Sequence, residues 1–208
     1  MDPGEEDASL YIINRCKEDL FAMSVGAWRR GNDRNQIEYT IPSGSIYHEA
    51  LRETIFHSNH SLNGTDYSGK EIGQGSVIKI TRPPKNYSHN VLQLEYAIGK
   101  NTETFKKLWY DISLLDCAKT TALVTDVQAS QDDNYNQKKI DSCPGYQNGI
   151  AMWTSDYKHC PPIYCDGVQF CDGIYNYDRS RENESTKSCD QEYRGNLYVE
   201  LCAGNGNG

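Results

Sequence analysis

Val91-Leu92-Gln93-Leu94-Glu95-Tyr96-Ala97-Ile98, followed by Trp109-Tyr110-Asp111-Ile112-Ser113-Leu114, decides the class of fold. In both stretches apolar side chains fall on every second residue, the period of a strand with one buried face. Leu92, Leu94, Tyr96 and Ile98 share one side of the first, and Tyr110, Ile112 and Leu114 one side of the second. Residues 99–107 read as the loop that makes the two antiparallel neighbours. Once the apolar sides coincide, Glu95 and Asp111 must lie together on the opposite side, whatever the register. Asp116 follows just past the second strand.

Two carboxylates on one surface are what glycoside hydrolysis uses, one as acid and one as base or nucleophile. Crowding also raises the pKa of one of them. Acids on a half-exposed sheet are equally an ordinary solvated face, and an acidic groove that binds without cleaving lies between these readings. The spacing favours binding over catalysis by Glu95 and Asp111.

Working outward, similar short runs recur between turn residues: Leu10 to Ile13, Leu20 to Trp28, Gly75 to Thr81, Leu108 to Leu115, Thr121 to Val127, Gly149 to Trp153 and Leu197 to Leu201. Many short strands at this spacing predict a mainly β protein with a sandwich core. Only Glu49 to His57 suggests a short helix. From Cys143 to Cys189 the character changes to Cys-Pro-Gly, Cys-Pro-Pro and Cys-Asp-Gly turns. The expected organisation is a core of residues 8–142 and 191–203, a disulfide-rich loop lobe over 143–190, and a mobile tail at 204–208.

The eight cysteines are Cys16, Cys117, Cys143, Cys160, Cys165, Cys171, Cys189 and Cys202. An even count without a CxxC pair predicts disulfides and no metal site. Cys16 closes the first strand and Cys202 the last, so a bridge between them would tie both ends to the sandwich; the other pairings stay open. Disulfides imply an extracellular setting, as do the sequons at Asn59, Asn63, Asn86 and Asn183. Met1 reads as an initiator in front of a mature chain whose signal has been removed.

The net charge of −8 over 208 residues argues against nucleic acid, whose phosphates call for a basic surface. It argues likewise against anionic membranes, and no apolar run reaches the roughly 20 residues of a membrane span. His57 and His60 stand at a spacing that metal sites use, but in an Asn- and Ser-rich stretch that reads as exposed loop. No phosphate-binding, dinucleotide or hydrolase fingerprint occurs, so no cofactor is expected. Trp28, Trp109 and Trp153 are possible sugar-stacking rings, with Trp109 better read as packing the sandwich.

The same residues carry a family resemblance. Leu94-Glu95-Tyr96-Ala97-Ile98 and Tyr110-Asp111-Ile112-Ser113-Leu114-Leu115-Asp116 resemble the thaumatin-like pattern of a Glu on one strand followed by Tyr-Asp-x-Ser-x-x-Asp. Tyr11-Ile12-Ile13-Asn14-Arg15-Cys16 is similar to that family's opening strand, Tyr175-Asn176-Tyr177-Asp178 to its lobe, and Leu197 to Cys202 to its ending. With only eight cysteines the chain is most similar to the divergent fungal secreted (antigenic) members. The resemblance implies a β-sandwich, a disulfide lobe and an acidic cleft linked to β-1,3-glucan binding, weak glucanase activity or antifungal action. It places Glu95, Asp111 and Asp116 in that cleft. Cys117 stands where the family has Gly, and Gly173 where it has a further Asp, with Asp172 one position away; Arg52 is the counterpart proposed for its arginine. Tyr175 and Tyr177 are the expected sugar platform. The expectation is a secreted monomer that binds cell-wall polysaccharide through this cleft. A glucanase, and a host-interacting or antimicrobial protein, are the alternatives.

Overall fold

The computed structural model describes residues 8–26, 36–52, 55–57, 72–98, 107–119, 124–169, 171–178 and 185–206. Trp28, Asn59, His60, Asn63 and Asn183 lie outside them. Among the described residues the protein is mainly β, with two large sheets packed face to face.

One sheet has five strands. β1 (Ser9–Asn14) pairs parallel with β13 (Leu197–Leu201) and antiparallel with β4 (Ile46–Ala50); β10 (Ile150–Thr154) and β11 (Ile163–Cys165) extend it beyond β13. The other has six strands, in the order β12 (Lys187–Ser188), β9 (Leu108–Asp116), β8 (Val91–Ile98), β7 (Ser76–Thr81), β2 (Leu20–Val25) and β3 (Gln36–Ile41). β5 (Ile55–His57) and β6 (Ile72–Gln74) form a separate hairpin.

The core lies between the inner faces. Leu10, Ile12, Leu197, Val199, Leu201 and Met152 come from one sheet, and Leu20, Ile78, Ile80, Leu92, Leu94 and Ile112 from the other; all are fully buried. Each strand contributes alternate residues, the two-residue period at work. Asn14 is buried too, but its amide donates to Ile41 O at 2.8 Å and Glu18 O at 3.0 Å, and its oxygen accepts from Cys16 N. A buried amide so satisfied costs little.

The cysteines pair as Cys16–Cys202, Cys117–Cys143, Cys160–Cys189 and Cys165–Cys171, leaving no free thiol. Segment 143–190 supplies β10 and β11 to one sheet and β12 to the other, with loops between. Ala203–Gly206 forms a single 3-10 turn whose Gly204 N–H donates to Asn148 O.

Two local expectations are corrected. Glu49 and Ala50 end a strand rather than open a helix, and 55–57 is strand as well; pairing with β1 satisfies this backbone, and Glu49 accepts from Ser24 on the facing sheet. Of the expected strand over Thr121 to Val127, residues 121–123 lie outside the described residues and the remainder leads into α1 (Asp126–Ser130), which Thr125 and Gln128 open as a reciprocal capping box. A second helix, α2 (Asp133–Ser142), begins at the Asp132 cap.

Candidate functional site: an acidic pocket on the outer sheet face

Register fixes the site. β8 and β9 run antiparallel with Glu95 directly opposite Asp111, Tyr96 opposite Tyr110 and Ala97 opposite Trp109. Tyr96 and Tyr110 point into the core, so Glu95, Ala97, Trp109 and Asp111 emerge on the other side. The carboxyls of Glu95 and Asp111 face each other across the two strands and interact directly. Trp109 stands on the same face two residues from Asp111 and is 38% exposed. It is a surface ring beside the acids, not the core residue expected; the alternation that turns Asp111 outward turns residue 109 outward as well.

This face is not open to solvent along its whole length. β9 has one edge on β8; its other edge meets β12 at Trp109 and Tyr110, and then residue 175. Tyr175 N–H donates to Ile112 O at 2.9 Å, and Leu114 N–H donates to Tyr175 O at 2.7 Å. These bonds seat Thr186 over Asp111, where its hydroxyl donates to Asp111 Oδ2 at 3.3 Å while sharing a 2.8 Å bond with the Tyr175 hydroxyl. Asp111 is therefore 7% exposed although it belongs to the outer face.

The result is a pocket of about 330 Å³ lined by Gly75, Ser76, Val77, Glu95, Tyr96, Ala97, Trp109, Asp111 and Thr186. Gly75 makes room for its wall: a Cβ there would stand 2.6 Å from Tyr96 O. Burial holds the Glu95 carboxyl above its ordinary range, and the charge of Asp116 adds to this, while the bond to Asp111 and the nearby ammonium of Lys79 pull the other way. The pair presents several acceptor positions beside an aromatic ring.

The other expected site residues are distributed unevenly. Asp116 is at the far end of β9, where it accepts from Gln93 Nε2 at 3.1 Å and pairs with Lys119 at 2.6 Å. Tyr175 touches the pocket through Thr186. Tyr177 does not serve as a platform: it is buried, with the Lys139 ammonium 4.7 Å from its ring centre. Asp172 lines a different pocket, of about 560 Å³, beside the Cys165–Cys171 loop. Arg52 sends its guanidinium to Ser24 and Glu49 on the inner side of the sheet, away from the acids; the cation near Glu95 is Lys79, which sequence reasoning missed because only the pairing of β7 with β8 brings it there. Asn86 is exposed in the loop after β7, its side chain accepting from Ser88 N.

No protein-family model matches this sequence, and no curated protein matches it. Solved structures do. The crystal structure of the protein elicitor MoHrip2 from Magnaporthe oryzae superposes with a TM-score of 0.52 at 12% identity, over 94% of this chain and 98% of that one. A thaumatin-like xylanase inhibitor, TLXI, superposes more loosely, with a TM-score of 0.42 at 11% identity over 93% and 98% of the two chains. At these identities the first likeness speaks to the fold.

Proposed function

We propose that this is a secreted thaumatin-like protein whose outer-face pocket binds a neutral cell-wall polysaccharide of the β-1,3-glucan type without cleaving it. The observation that carries the reading is the Glu95–Asp111 pair, directly opposed on adjacent strands beside the exposed ring of Trp109. An aromatic face supports the apolar side of a sugar ring while the acids accept its hydroxyls. The four disulfides support an extracellular setting.

The same geometry weighs against hydrolysis. A retaining glycosidase separates its carboxyls by roughly 5–5.5 Å and an inverting one by more, so that the glycosidic bond fits between them. Glu95 and Asp111 interact directly across adjacent strands, which supports a closer spacing than that. Retention of the purified protein on insoluble β-1,3-glucan is expected, lost in Glu95→Ala with Asp111→Ala and weakened at least several-fold in Trp109→Ala, with no release of reducing sugar. Absence of retention at any pH ends the proposal. The fold shared with a protein elicitor supports a second reading, a host-interacting or antimicrobial protein for which the fold is scaffold. Host responses or growth inhibition unchanged in the carboxyl variants would favour it.

A further inference from the structure

The outer face of the five-stranded sheet carries an aromatic row that the acidic pocket does not use. His48, Tyr11, Tyr198 and Trp153 come one each from β4, β1, β13 and β10, and each stands directly opposite the next in the strand register. Their ring centres are 5.5, 5.3 and 5.6 Å apart in turn, with planes within 21°, 19° and 17° of parallel. Strands lie about 4.8 Å apart, so rings at these separations overlap like roof tiles. Their strand neighbours Leu10, Ile12, Val199 and Met152 point into the core, which turns all four rings outward.

The row is one ring wide and built on paired strands, hence held in shape. It carries no lysine, arginine or carboxylate. In the next row of the same face, the charge of Glu200 is met by Arg15 at 2.8 Å. Ile46 and Tyr164 on that row are 60% and 67% exposed.

We propose that this row is a second binding face, taking the flat side of a linear, neutral, β-linked polysaccharide, and that it works independently of the acidic pocket. Pyranose rings with equatorial substituents present C–H faces that stack on aromatic rings, while their hydroxyls point sideways to solvent or to polar rim groups. A linear row of rings suits successive units of a linear polymer. Single-stranded nucleic acid also stacks on rings, but it needs cations along its backbone, and a chain of net charge −8 with no lysine or arginine in the row does not supply them. Cross-strand ring pairs also stabilise a sheet, and a purely structural row would affect stability alone.

The test is depletion of the full chain onto particulate cellulose and chitin in 1 M salt, with folding followed by near-UV circular dichroism. Retention on at least one matrix is expected. It should fall about tenfold or more in Tyr198→Ala with Trp153→Ala and stay within about twofold in Trp153→Phe. Should the double ring variant fail to fold, His48→Ala at the edge strand replaces it, with a loss of at least about twofold expected. The proposal is overturned if no matrix retains the protein, or if folded ring variants bind as well as the parent. It is also overturned if only the carboxyl variants lose retention, a result that would leave the pocket as the glycan site. A dimer seen by ultracentrifugation and abolished by the ring substitutions would assign the row to self-association and overturn it too.

Discussion

Glu95 owes its behaviour to where β8 places it. Burial discourages its ionisation more than Lys79 and the Asp111 bond encourage it, so its pKa in the folded protein lies above the ordinary 4.5. The folded state then holds a proton that the unfolded chain has already released. The stability this contributes is complete below pH 4.5 and is lost as the pH rises through the raised value. Thermal unfolding followed upward from pH 4 should therefore show a decline that Glu95→Gln flattens, since an amide keeps the hydrogen bond and does not titrate. An unchanged pH profile in the variant would show that another group controls it.

Elements differ in how plainly the sequence announces them. β8 and β9 keep a two-residue alternation over residues 92–98 and 110–114, so the placing of Glu95 and Asp111 on one common face could be read before any coordinates. β3 is mostly exposed and β12 has two residues, so neither shows the alternation that identifies a strand. Helix α2 buries only Lys139 and Ile140, too little to give a helical period, and its consequences were hidden with it. Lys139 reaches under the sheet to donate to Leu114 O at 3.0 Å and Cys117 O at 2.7 Å. Its ammonium lies over the Tyr177 ring, an arrangement that takes Tyr177 out of the surface. Burial pulls the Lys139 pKa down from 10.5 to about 8. Between those values the unfolded chain binds a proton that the folded one does not, so stability rises with pH over that window. Lys139→Met should cost about 1–3 kcal/mol at pH 7 by leaving two buried carbonyls without their donor. It should also abolish the rise, as chemical denaturation at pH 8 and pH 10 would reveal. A variant that still gains stability over that range would clear Lys139 of the effect.

At the scale of the whole molecule, the disulfides and the sheet order act together. Cys16 and Cys202 are 186 residues apart in sequence yet bonded at 2.05 Å. Closing so long a loop restricts the unfolded chain by about 4–5 kcal/mol in the entropic account, an upper-range figure. Replacing both by Ser should lower stability by about 2–5 kcal/mol, measured by denaturant unfolding without reductant; a change under about 1 kcal/mol would mean that the strands hold the ends unaided. The bridge was legible from the positions of its two cysteines beside the first and last strands. The remaining partners were not, because turns, not sheet pairing, bring those residues together.

The parallel embrace of β1 and β13 also sets a timetable. During synthesis β1 emerges long before its central partner β13 exists, and that layer cannot be completed until residues 197–201 have left the ribosome. The six-stranded layer can begin earlier, because β7, β8 and β9 are joined in sequence and need no distant segment to pair. Assembly should therefore proceed from the acid-bearing layer to the aromatic one, with oxidation of the terminal cysteines as the closing event.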